Sequence, residues 1–390
     1  LVEDIEHDFG AVQLAGHLGP SALRARRAEY ATRRRARTLV ARRATRAEAA
    51  MEIVNPTPFV ARLFAGTDAH GAECAVVIAK ATLSIAPGRE PQLADEQREV
   101  ELADVYVGEP GASGLARPSD LCIQKPGTDV ALTGRVRPRA GERETELSLQ
   151  VGWCARRVHV SGPRGWERVL GRVRASAPLA FESAPLVWEE AFGGADASAR
   201  NPKHHGFEEQ NPVGRGFRSK RSRLPIDGEA LPSLEHPARR MRKPGDRPPP
   251  WSFGFVAPAW RPRRDLAGTY DEAWLRSRSP LLPTDFDPGF YDRASTDLVL
   301  ARAPRPGEPV RVAGAIPSGE YCFTFPELAL EASLVFRRSS DPIELHCDTV
   351  WIDLDAGELC ITWSGHQRIQ GRAHDVLGAR LRGDVRRVAA

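Results

Sequence analysis

Glycine and proline interrupt this chain about once every six residues, with 34 glycines and 32 prolines among 390 positions. Inside a helix each glycine costs about 1 kcal/mol and each proline about 3 kcal/mol relative to alanine. Long helices, helical bundles and coiled coils are therefore excluded. Short strands joined by tight turns tolerate the same density, because both residues supply turn conformations. The expected fold is mainly β with little helix.

The remaining composition narrows the class further. Hydrophobic residues make up 41% and charged residues 27%, enough for a packed interior and incompatible with a wholly disordered chain. No apolar run approaches the ~20 residues that span a bilayer, so no membrane partner is expected. The first twenty residues carry Glu3, Asp4, Glu6 and Asp8 and show no secretory leader pattern. Six cysteines, at 74, 122, 154, 322, 347 and 360, are widely spaced. They read as reduced thiols of a cytoplasmic protein. A net charge of +4 is too small to imply a nucleic-acid or acidic-membrane partner. Lysine occurs only at 80, 125, 203, 220 and 243, so arginine supplies nearly all the positive charge, as a GC-rich genome would also produce.

Five regions follow along the chain. Residues 1–50 form an Ala/Arg-rich extension with the cluster Arg33, Arg34, Arg35 and Arg37. It is expected to lie outside the true start, at Met51. Residues 51–175 read as strands, notably 59–64, 74–85, 129–136, 145–153, 156–160 and 166–173. Thr67 to Gly71 marks a hairpin turn. Leu147, Leu149, Val151 and Trp153 alternate onto one face. Residues 176–304 lose this periodicity and fill with Pro, Gly and aromatics, including Trp188, Trp251, Phe253, Trp260 and Trp274. A disordered linker would be poor in aromatics. This segment is expected as an ordered, loop-rich layer with a short helix around Trp274 capped by Thr269 or Asp271. Six further strands are expected over 305–375, then a basic tail at 376–390. The resulting picture is two β-sandwich-like halves, 51–175 and 305–375, with the aromatic middle packed across them.

Chemistry-bearing constellations are few. His204-His205 beside Glu208 and Glu209 cannot chelate together in a regular element, since adjacent side chains diverge. His346 and Cys347 beside Asp348 diverge likewise. No metal site and no cofactor is expected. Asp285 and Asp287 would share a face of an extended segment and could form an acid/base pair, although prolines at 283 and 288 make them equally good turn residues. Arg261, Arg263 and Arg264 beside Trp260 could form a basic–aromatic nucleic-acid patch. No nucleophile elbow, P-loop or dinucleotide fingerprint is present, and no catalytic residue is assigned.

The aromatic middle carries a resemblance. Trp188-Glu189-Glu190-Ala191-Phe192-Gly193-Gly194, Asn211-Pro212-Val213-Gly214-Arg215-Gly216, Pro250-Trp251-Ser252-Phe253-Gly254, Trp260-Arg261-Pro262-Arg263, Gly268-Thr269-Tyr270-Asp271 and Leu282-Pro283-Thr284-Asp285-Phe286-Asp287 follow one another in order. Upstream stand Asn55-Pro56-Thr57-Pro58-Phe59, Pro118-Ser119-Asp120 and Lys125-Pro126-Gly127-Thr128-Asp129; downstream stands Asp348-Thr349-Val350. Together these strings resemble the domain-of-unknown-function family 2169, bacterial proteins encoded among type VI secretion genes. The resemblance spans about residues 51–370. It departs from the family pattern at Asp292 to Leu298 and at Trp363-Ser364.

What the resemblance implies is a non-enzymatic adaptor-chaperone. Such a protein binds a type VI effector, often one with a spike-tip PAAR-like domain, and helps load it onto the secretion spike. Trp251, Phe253, Trp260, Arg261 and Arg263 are the expected partner-binding residues, since exposed aromatics and arginines make interface hot spots. Packing is the competing role for each aromatic. Two other functions stay open: an Arg-rich nucleic-acid or anionic-surface binder, and a carbohydrate-active or hydrolytic enzyme using Asp285 and Asp287.

Overall fold

Both faces of one strand decide the architecture. Cys74 to Leu83 is an almost unbroken apolar run, and every residue in it is buried. A strand apolar on both faces must be covered on both faces. In the computed structural model, which describes residues 52–369, 371 and 373–386, this run is β3 (Glu73–Ser84). It lies in a seven-stranded sheet with other sheets packed on either side. β1 (Glu52–Val54) and β2 (Val60–Thr67) precede it. β2 and β3 form the hairpin expected around Thr67 to Gly71, paired from Val60 with Lys80 to Thr67 with Glu73.

The large sheet runs Val299–Leu300, Thr128–Thr133, His346–Asp353, Glu358–Arg368, β3, β2, with Gln92–Leu93 also paired to β3. All its pairs are antiparallel except Thr128–Thr133 with His346–Asp353. A five-stranded sheet runs Leu234–Glu235, Cys154–Ser161, Glu144–Val151, Pro309–Ile316, Gly319–Thr324. A four-stranded sheet runs β1, Val376–Arg386, Glu327–Phe336, Ser340–Ile343. The fold is mainly β, and no sheet closes into a barrel.

Two separate sandwich halves are not what forms. Strands from 128–161 pair with strands from 309–353 in both larger sheets, and β1 pairs with Val376–Arg386. The physical reason lies in the patterning: β3 is apolar on both faces and draws a covering layer to each, and alternation does not label which distant strands supply it. The stretch expected as a basic tail from 376 is a strand through Arg386, with Ala379 and Leu381 buried against Leu334 and Val77. The expectation for residues 1–50 falls outside the described residues.

The main core lies between the large and five-stranded sheets, where Leu147, Leu149, Val310 and Val312 meet Val130, Leu132, Val350 and Leu359. Trp153 does not join it. The expected face stops at Val151, and Trp153 stands 57% exposed at the hairpin before Cys154. The middle segment adds Leu186, Trp188, Phe253, Phe255 and Trp260 to this core. Its one α-helix among the described residues, α1 (Glu272–Ser277), is capped by Asp271, whose carboxylate accepts from Trp274 N–H at 2.8 Å. No helix of the described residues is long and apolar enough to cross a membrane.

Candidate partner-binding site

The strings from 188 to 194 and 211 to 216 fold onto each other. Trp188–Glu190 makes a single 3-10 turn, after which Phe192–Gly193 pairs in parallel with Arg215–Gly216. Asn211, fully buried, donates through Nδ2 to the carbonyls of Trp188 (2.8 Å) and Phe192 (2.9 Å). The two backbones approach so closely that only glycine fits. A Cβ at Gly193, which has φ +155°, would run into the Asn211 carbonyl, and one at Gly214 would lie 2.6 Å from the Ala191 carbonyl. Trp188 Nε1 donates to the Phe255 carbonyl at 2.7 Å, and its ring stands edge-on to Trp260 at 6.0 Å. These residues make a rigid turn.

That turn forms one wall of an open cleft of about 250 Å³. Val107, Leu115, Leu186, Trp188 and Trp351 give it apolar walls, and Glu189, Arg98 and Arg117 supply charge. The two glutamates of the turn differ. Glu190 is taken by Arg215 Nη2 at 2.6 Å, while Glu189 Oε1 accepts from Gly114 N–H at 2.6 Å and its Oε2 is buried without a partner. The Arg98 guanidinium carbon sits over Trp351, 4.6 Å from the ring centre, and the group pairs with Asp353 (2.9 Å) and Glu358. Trp351 is fixed in turn by its Nε1–H bond to Thr133 Oγ1 at 2.8 Å. The cleft is thus preformed, since Arg98, Arg117, Trp351 and one oxygen of Glu189 are already held by protein partners.

A family model described as "Uncharacterized protein conserved in bacteria (DUF2169)" matches residues 70–364. The chain belongs to this family. No curated protein and no solved structure matches it. The DUF2169 match covers about three quarters of the chain.

Of the five residues expected to meet a partner, three lie in the interior of this DUF2169 protein. Phe253 is 0%, Trp260 3% and Arg263 5% exposed. Arg263 donates to the carbonyls of Phe290 (2.9 Å) and Val256 (2.6 Å), and burial pushes its pKa down to about 10. A segment poor in strand ladders has to be held by side chains, so its aromatics and this arginine serve as its core. Trp251 is half-buried, with the Arg156 guanidinium carbon 3.8 Å over its ring centre and the His236 ring tilted against it at 4.5 Å. Only Arg261 is well exposed, and it is paired with Glu209 (2.5 Å) and Asp265 (3.0 Å).

The other expected constellations are turn-holders. Asp285 accepts from Thr269 N–H (3.0 Å) and Oγ1–H (2.7 Å), which hold its pKa below the usual carboxylate value. Asp287 caps the 3-10 turn Pro288–Tyr291 through Gly289 N–H. His205 Nε2 lies 2.9 Å from the Ala199 carbonyl. Arg264 shares Glu209 with Arg261, so the basic run of 261–264 is matched by acids or buried.

Sequence reasoning missed a buried charge network. Lys125 pairs with Asp129 at 2.7 Å, both side chains fully buried, and also donates to the Asp348 carbonyl. Lys80 pairs with Asp120 at 2.8 Å. Asp129 accepts from the backbone N–H groups of Arg293 and Ala294. Cys122 sits 3.6 Å from Asp348, and burial pushes its thiol up to about 12, which keeps it protonated and unreactive. A signal did exist. In a chain with only five lysines, the one at 125 opens the family string Lys125–Asp129.

Proposed function

We propose that this protein is a non-enzymatic adaptor of the bacterial cytoplasm. It binds a type VI secretion effector, one with a spike-tip PAAR-like domain, and helps load it onto the spike. The observation that carries this reading is the preformed cleft beside the Trp188–Glu190 turn, with its apolar walls. The family strings that surround it hold backbone in place through Asn211, Arg215 and Trp188. A rigid apolar cleft lowers the entropy lost when a partner docks, which serves binding and requires no chemistry. The resemblance to proteins encoded among secretion genes gives the partner its class.

The test is capture from the native host. The tagged chain should co-purify with a secretion effector or spike-tip protein. Val107, 54% exposed on the cleft rim, is the residue to change. Val107→Glu should weaken capture by roughly tenfold or more while leaving the circular dichroism spectrum unchanged. Undiminished capture by that variant would remove the cleft from the reading, and absence of any secretion component would remove the reading itself.

A further inference from the structure

The hydrogen-bond phase of β3 fixes which way the backbone of β2 points. Thr82 accepts from Ala94 N–H (3.0 Å), and its own N–H is held by Gln97, both on the side of β3 where Gln92–Leu93 and β2 lie. Ile85 N–H instead bonds the Gly357 carbonyl, on the side of Glu358–Arg368. Even-numbered residues of β3 therefore face β2. Their opposite numbers Val60, Arg62, Phe64 and Gly66 bond to β3, and the Asp68 N–H bond to Ala72 continues that phase. Ala61, Leu63, Ala65 and Thr67 must aim their N–H and C=O groups away from the sheet.

Nothing among the described residues pairs with those four. The preceding outward carbonyl, that of Phe59, is closed by Asn55 Nδ2 at 2.6 Å, and Ala61 is only 6% exposed, so the open edge begins at Leu63. Other sheet edges are blunted in ways proteins use against unwanted pairing. Ser340–Ile343 carries Pro342 and Asp341. Gly319–Thr324 has Glu90 bonded to Thr324 N–H and Oγ1–H. β1 has three residues, and Leu234–Glu235 and Val299–Leu300 have two each. β2 alone is eight residues long, without proline and with unbroken register. Its single charge, Arg62, is matched by Glu99 at 2.7 Å.

We propose that the outer edge of β2 is a docking surface for an extended, uncharged segment of a partner polypeptide, which adds as a further strand to the large sheet. Ala61 is covered, but the outward N–H and C=O groups of Leu63, Ala65 and Thr67, spaced along about 17 Å of strand, match another extended backbone. The side chains favour a different sequence over a second copy of this one. Self-pairing over the accessible stretch, centred on Ala65, would set Ala65 opposite itself, small against small, whereas a larger β-branched residue on an incoming strand would fill that position.

The experiment uses the full chain and a capped octapeptide of alternating valine and threonine, with hydrogen–deuterium exchange read at single amides. Peptide binding should slow the amides of 63, 65 and 67 and leave those of 62, 64 and 66, already bonded to β3, unchanged. Ala65→Pro removes one outward N–H and costs no bond to β3. It should fold normally and bind the peptide roughly tenfold more weakly, about the worth of one hydrogen bond. Phe64→Pro, one residue away, removes a bond to β3 and should unfold the hairpin, which confirms the phase. Three results would overturn the proposal: no slowing at saturating peptide, equal binding by Ala65→Pro, or a concentration-dependent dimer that Ala65→Pro abolishes. The proposal stands apart from the adaptor reading, and the two fail separately. Peptide binding without any captured secretion component removes the adaptor and keeps the edge. Capture that Ala65→Pro leaves intact, without peptide binding, does the reverse.

Discussion

Asp292 is a carboxyl half withdrawn from water with a second carboxylate, Asp129, nearby. Burial first, and then the charge of Asp129, raise its pKa from the ordinary 3.8 to about 6. In the folded protein it therefore holds a proton over a pH range where the unfolded chain has released one. Stability from this group is present below 3.8 and is lost as pH rises through about 6. Asp292→Asn should raise the melting temperature at pH 7.5 and change it little at pH 4, as thermal unfolding at the two pH values would show. Lys125 behaves oppositely. Lys125→Ala strands Asp129 without its cation and should cost about 3–5 kcal/mol, measurable by urea unfolding. Neither effect was legible in the sequence, because burial of a charge depends on which distant strands enclose it. The only trace was the rarity of lysine.

At the scale of elements, hairpins and caps were readable and burial in the middle segment was not. The hairpin around Thr67 to Gly71 and the Asp271 cap of α1 are local matters of turn chemistry and N–H satisfaction. Trp260 has no such local signature, since an aromatic beside arginines reads the same whether it faces a partner or a core. Its 3% exposure makes Trp260→Ala a cavity mutant, expected to lose about 3–5 kcal/mol in chemical denaturation. That variant tests folding and says nothing of partner contact. Asp271→Ala should cost only about 1 kcal/mol and leave the sheets intact.

For the whole molecule, β content followed from the density of breakers, but the division into halves did not survive. Alternation shows that a strand has an inner face and carries no label for the strand it will meet. Because strands before residue 161 share two sheets with strands after 309, the described body should unfold in one cooperative transition. Scanning calorimetry should show a single peak, and a fragment of residues 52–175 should lack a cooperative melt.

The pairing of β3 with Glu358–Arg368 also sets a clock on the ribosome. The strand that completes one side of β3 is translated about 270 residues after β3 itself. At ~5–20 residues per second, the most apolar strand of the chain waits roughly 14–55 s for its neighbour. During that interval β2 and the short Gln92–Leu93 strand are the sheet partners it can reach by local folding, both on one side, and its far side stays open to any chain nearby. A nascent protein of this kind depends on whatever shields that side during synthesis, so its yield should respond to elongation rate and to the supply of general chaperones before any partner is encountered.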